Sequence, residues 1–351
     1  ILIFSIDKTI LDQDIFLLFF LSLNIIDWAS ILITILLQVF LFSRGHKTNR
    51  FIINFSAISV YLGILLFFLV IILIDFEHTT EAFNDIFTYS NIFIKTNVGP
   101  LITVAGTIFA YFSIVIVNYG DFSRYVKNET ELKKGNLSLF LNLIIFSFLA
   151  IFIVVGADVI LNKNLENMER ILTNPTDIIG KFDSILITVI VLFFIILASG
   201  STNLIANYIP TQNILLNFLP KSLDTKKSSI IISTLGFFIC IFWPSLLSQI
   251  GILSFIDTIG AFFGPLFGIM VIDYYVVKKS NLNNKDIFSL DVNAAYFYSN
   301  GWHIKAIYSL VIGFIFAAGT IWNENLMFLQ PHIWIIGAFI SSLTYFLLTN
   351  R

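Results

Sequence analysis

Long apolar runs separated by short polar connections make up most of the chain. Nine of them reach the length of about 18 residues that a helix needs to cross a hydrocarbon core. They are residues 15–42, 51–74, 98–117, 137–161, 185–208, 230–247, 250–277, 304–322 and 332–348, labelled spans A to I. A membrane barrel would show segments of about ten residues with alternating polarity. These runs are longer and continuous, so the predicted fold class is an all-α integral membrane protein with about nine transmembrane helices. The longest polar connections, residues 162–184 and 280–303, read as loops. No low-complexity segment or exact repeat stands out, although inverted repeats leave little trace at this level.

Composition agrees with lipid as the solvent. Hydrophobic residues make up 57% and charged residues 12% of the chain, where a soluble domain carries about twice that charge. Mean hydropathy is +0.90. The net charge of -2 points to no acidic or basic partner, and nothing suggests nucleic acid. The single cysteine, Cys240, sits in an apolar run without metal-ligand spacing and reads as a small core group.

Basic residues sort by loop. Arg44, Lys47, Arg50, Arg124, Lys127, Lys133, Lys134, Lys221, Lys226, Lys227, Lys278, Lys279, Lys285, Lys305 and Arg351 fall on one side. Lys8, Lys95, Lys163, Arg170 and Lys181 fall on the other, with Asp75, Glu77, Glu81 and Asp85. The positive-inside rule then predicts a multi-pass protein of the plasma (inner) membrane with a cytoplasmic C-terminus. An odd number of spans places residue 1 outside. The chain begins at Ile1 without a signal-peptide pattern, so further N-terminal spans are expected.

Polar groups at membrane depth must be satisfied within the protein, which makes them the informative positions. Span E has the densest set, from Ala198 to Asn207. Ala198, Ser201 and Thr202 lie at i, i+3 and i+4 and share a helical face. A carbonyl and two hydroxyls there offer hard oxygen ligands to a cation the size of sodium. Asn203 and Asn207 form a second i, i+4 pair, and an amide suits a heterocycle with a mixed donor–acceptor edge. Helix packing through small and hydroxylated residues is the alternative for both sets. Span C holds Tyr111 and Phe112, whose rings could stack on a planar ligand or simply pack. Asp121 and Arg124 at its end read as a local ion pair or gate. Asp273 beside Lys278 and Lys279 reads as interfacial, and Asp27 lies deep if span A begins with its apolar run or near the outer surface if the helix starts later, with no role assigned. The histidines, His46, His78, His303 and His332, are far apart, and no phosphate loop or metal spacing occurs. A membrane-embedded enzyme would need clustered acids or histidines, and a structural subunit is the third option.

Three stretches resemble the nucleobase:cation symporter-1 family, permeases for cytosine, uracil, purines, allantoin, hydantoins and thiamine. They are Asn118-Tyr-Gly-Asp-Phe-Ser-Arg-Tyr125, Ser201-Thr-Asn-Leu-Ile-Ala-Asn207 with Pro210, and Gly264-Pro265 followed by Leu266-Phe-Gly-Ile-Met-Val-Ile-Asp-Tyr274. Gly301-Trp302 also fits the resemblance. It implies helices four to twelve of a leucine-transporter-like inverted-repeat fold in a single transmembrane domain. Residues 15–97 would end the first repeat, 98–279 would form the complete second repeat, and 280–351 would be a cytoplasmic loop with two appended helices.

By the same resemblance, Ala198, Ser201 and Thr202 would hold sodium. Asn207 would bond the substrate, and Phe112 would stack on it where many relatives have Trp. The missing helices would supply the rest of the site. The implied function is import of a planar heterocycle coupled to sodium, with proton coupling as the alternative.

Overall fold

The computed structural model of the protein describes residues 19–21, 23–88, 95–162, 185–283, 285–289 and 291–350. Among the described residues nine helices are long and apolar enough to span a membrane, matching spans A to I. The described residues are helical apart from turns, loops and two isolated bridges.

The first helix, α1 (Ile25–Phe42), begins later than the apolar run suggests. Asn24 accepts the Asp27 N–H, and Asp27 accepts the Asn24 N–H, at 2.9 and 3.0 Å. This reciprocal cap satisfies two otherwise orphaned backbone donors. Asp27 is therefore a helix-start residue, which is the alternative with the later start. The start of span A, residues 15–18, lies outside the described residues.

Helix α2 (His46–Phe87) is broken at Asp75, whose φ of -157° and ψ of 79° are not helical. The Asp75 carboxylate accepts the His78 backbone N–H at 3.3 Å and meets His78 Nδ1 at 2.8 Å, so it caps the helical segment beyond the break. The break coincides with the predicted end of span B at residue 74. Helices α3 (Lys95–Val117), α4 (Tyr119–Ser123) and α5 (Glu129–Asn162) come after it.

Span E is three pieces in one continuous rod: α6 (Ile185–Thr202), a π-turn (Asn203–Tyr208) and α7 (Ile209–Phe218). Helices α8 (Thr225–Ile250) and α9 (Ile252–Ile272) come next, with a second π-turn at Asp273–Val277. Helix α10 (Ile304–Trp322), a 3-10 segment (Glu324–His332) and α11 (Ile333–Thr349) complete the chain. Cys240 is exposed on α8, so it is not the core group that its apolar run suggested.

The chain forms two compact units that interleave in sequence. Unit one holds residues 1–92 and 121–245, and unit two holds residues 93–120 and 246–351. In unit one α2 packs against α5 and α6. Ile71, Phe152, Ile153 and Ala157 form one core cluster, and Phe42, Leu204 and Tyr208 another. In unit two α9 packs against α3, α10 and α11. Gly264 and Gly268 make this approach possible, because a Cβ at either would run into the Trp334 or Ala338 backbone of α11.

Candidate functional site

Ala198, Ser201 and Thr202 lie in the last turn of α6. Ser201 Oγ donates to the Ala198 carbonyl at 3.1 Å, which ties two of the three candidate sodium ligands together. Ala198 and Ser201 are half-buried and Thr202 is exposed. The amide pair lies on the π-turn immediately beyond. Asn207 Nδ2 donates to Asn203 Oδ1 at 2.9 Å, with Asn207 exposed and Asn203 half-buried. The turn is closed by the Ile209 N–H bonding five residues back to the Leu204 carbonyl. Such single wide turns recur at functional sites. An apolar cavity of about 370 Å³ adjoins Ala198 in the same unit, lined by residues such as Gly63, Phe67, Phe146 and Phe194. Its wall offers little to the polar edge of a heterocycle.

Asp121 lies in unit one, where its firm partner is not Arg124. Asn213 Nδ2 of α7 donates to Asp121 Oδ1 at 3.0 Å, while Arg124 Nη1 stands 3.8 Å from the same oxygen. The predicted local ion pair is thus secondary to a link between the Asp121 motif and the rod that carries the amides. Phe112 belongs to unit two. It is 39% exposed, and Tyr111 meets it edge-on at 5.3 Å between ring centroids.

Two polar clusters in unit two were not anticipated. Asp257 in α9 is only 5% exposed, and its Oδ2 accepts the Gln330 amide at 2.7 Å. It is a buried carboxylate in a helix long and apolar enough to span a membrane. An acid in the apolar first half of the run 250–277, well before Asp273, was the available signal.

The second cluster closes a ring around Asp273. Tyr345 OH donates to Asp273 Oδ1 at 2.7 Å, and Lys278 Nζ to Oδ2 at 2.8 Å. Lys278 also donates to Tyr298 OH at 3.2 Å, and the Tyr298 ring stacks on His303 at 3.9 Å. His303 Nε2 lies 2.8 Å from Tyr345 OH, while its Nδ1 accepts the Ala306 N–H at the start of α10. Because the Tyr345 proton goes to Asp273, Nε2 must carry the hydrogen of a neutral imidazole. Burial lowers the His303 pKa below its ordinary value. Burial alone would lower Lys278 too, but the bonds to Asp273 and Tyr298 outweigh it and leave Lys278 raised. The connecting loop carries Lys279, Ser280, Tyr298 and Asn300 with φ between 49° and 58°, a strained state for residues with side chains.

Sequence comparison places this architecture. The family described as permease for cytosine/purines, uracil, thiamine, allantoin matches residues 19–338. The chain is 28% identical over 209 residues to the purine-uracil permease NCS1 of Arabidopsis thaliana, covering 59% of this chain and 33% of that protein. It is 26% identical over 242 residues to the allantoin permease of Bacillus subtilis (strain 168), covering 69% of this chain and 47% of that protein. A hydantoin permease of Microbacterium maritypicum is 26% identical over 142 residues, 40% of this chain and 28% of that protein. The chain therefore spans a third to a half of the length of the first two relatives. No solved structure matches it significantly. The family is one of transporters, which sets aside the membrane-embedded enzyme. With nine helices among the described residues long and apolar enough to span a membrane and a family match over most of its length, the chain is a multi-pass membrane protein that belongs to the family of permeases for cytosine/purines, uracil, thiamine and allantoin.

Proposed function

We propose that the chain carries part of a secondary active transporter that imports a planar heterocycle of the nucleobase, allantoin or hydantoin class together with sodium. The observation that carries this is the order of groups on one rod. A carbonyl–hydroxyl face (Ala198, Ser201, Thr202) is followed within a turn by an amide pair (Asn203, Asn207). The Asn207-to-Asn203 bond leaves Asn207 Oδ1 as an acceptor and Asn203 Nδ2 as a donor. One acceptor beside one donor suits a ring edge with adjacent N–H and C=O, and flipping both amides preserves the match. The relatives named for uracil, allantoin and hydantoin share this edge chemistry.

Ser201 gives its proton to Ala198, so its oxygen lone pairs stay free for a cation. Sodium needs about five or six oxygens, by extension from other hard cations, so further ligands complete the shell. Sodium bound beside the amides favours the state that captures substrate, and alternating access releases both inward. The protein lies in the plasma membrane with its C-terminus cytoplasmic, and Asp121 and Arg124 stand at the inner end of the path. Proton coupling is the second reading, and Asp257 would carry it, since an intramembrane carboxylate can take up and release a proton.

Uptake of radiolabelled allantoin, uracil and hydantoin into vesicles tests the proposal. Accumulation of one of them driven by an inward sodium gradient is expected. Accumulation driven only by a proton gradient selects the second reading, and no uptake of any of the three refutes both.

A further inference from the structure

The π-turn that bears the amides is fastened on its far side by a buried polar cluster. Gln212 is 4% exposed, and its Nε2, with two hydrogens to give, lies 3.0 Å from Tyr208 OH and 3.2 Å from both the Thr225 carbonyl and Ser228 Oγ. Tyr208, also 4% exposed, bonds Ser229 Oγ through its hydroxyl. The hydroxyls of Ser228 and Ser229 donate to the Thr225 carbonyl at 3.0 and 2.6 Å. These bonds set the proton order. Both serine protons are spent on Thr225, so Tyr208 donates to Ser229 and accepts from Gln212.

On the other side of Asn207, Thr211 Oγ1 donates to the Asn207 carbonyl at 2.6 Å. Asn207 thus sits between Tyr208, joined to α8, and Thr211, which covers a carbonyl in the wide turn.

We infer that Gln212 is a positioning residue: through Tyr208 it locks the π-turn against α8 and fixes the Asn203–Asn207 amide pair relative to the Ser201–Thr202 face. Burying Tyr and Gln ends in a membrane helix is unfavourable unless every group is paired. Apolar side chains would fill the same space without that demand, so the gain lies in selecting one backbone state. A π-turn accommodates an extra residue within a helix. Relaxation to a regular helix would rotate everything beyond it by about 100°, one residue's turn. Either the cluster leaves α8 or the amides turn away from the hydroxyl face. The inference rests on the amides being the substrate contacts, although the locking itself does not.

Two readouts on the purified protein separate these points, using Gln212→Met, which keeps volume but cannot donate. Amide hydrogen exchange over residues 204–209 should accelerate roughly tenfold, the effect of losing about one net buried bond. Peptides from α10 should not change. In vesicles, KM for radiolabelled allantoin should rise roughly tenfold at an unchanged maximal rate per molecule. Adding Gln212→Met to Asn207→Ala should raise KM no further. Unchanged exchange overturns the inference, as does a lower maximal rate at constant KM or a KM effect that adds to Asn207→Ala. If Gln212→Met does not fold, Tyr208→Phe cuts the same cluster at its centre and is judged by the same outcomes. If Asn207→Ala alone leaves KM unchanged, or allantoin is not carried, the substrate reading fails and exchange alone decides on the lock.

Discussion

Tyr345→Phe isolates the energetic weight of the Asp273 ring. Tyr345 is 1% exposed, and the substitution removes one oxygen while leaving the aromatic packing in place. Two bonds disappear. The donation to the Asp273 carboxylate, 2.7 Å, is charge-assisted and contributes about 1.5–3 kcal/mol. The His303 N–H, 2.8 Å away, loses its acceptor at a cost of about 1 kcal/mol. Lys278 stays on the other carboxylate oxygen, so Asp273 is not left bare and the lower half of the range applies. The expected loss is about 3 kcal/mol, read as a shift in detergent-driven unfolding in mixed micelles. His303→Phe should cost less once Tyr345→Phe is present, because the two share a bond. A Tyr345→Phe protein within about 0.5 kcal/mol of wild type, the usual scatter of surface substitutions, would show that the ring carries no net stability.

The same ring predicts a pH dependence. His303 has a lowered pKa in the folded protein, so the unfolded chain binds its proton first as pH falls. Stability is then full above the ordinary imidazole value and declines as pH drops from there toward the folded pKa. The melting temperature should fall through this acid range in wild type and fall less in His303→Gln; equal slopes would remove His303 from the account. With Cys240→Ser as background, single cysteines introduced as Arg44→Cys, Lys134→Cys and Arg351→Cys should all react with a membrane-impermeant reagent from the same side, and labelling from opposite sides would break the topology.

The spans were legible because hydropathy over some twenty residues is a long-range average that no single contact overrides. The break at Asp75 was legible too, since the apolar run stops there. The start of α1 was misjudged although its signal was present: Asn24 followed three residues later by Asp27 is a capping pattern within an apolar run. The hydroxyl face and amide pair of span E followed from helical spacing. The π-turn did not, because a wide turn changes backbone register without changing composition. Neither did the partners of Asp121, Asp257 and Asp273. Asn213, Gln330 and Tyr345 lie 92, 73 and 72 residues away in sequence, so only the packing of helices brings them together.

Equilibrium binding of radiolabelled heterocycle to the purified protein, measured across sodium concentrations, tests the placement of both sites on span E most directly. If sodium sits at Ala198, Ser201 and Thr202 beside an amide-bound ligand, the two bindings are linked and each tightens the other. Affinity should then rise with sodium. Ser201→Ala with Thr202→Ala should shift that rise to higher sodium, while the double variant keeps its expression and its limiting affinity. A ligand affinity indifferent to sodium, or a sodium dependence unchanged in the double variant, would contradict the assignment.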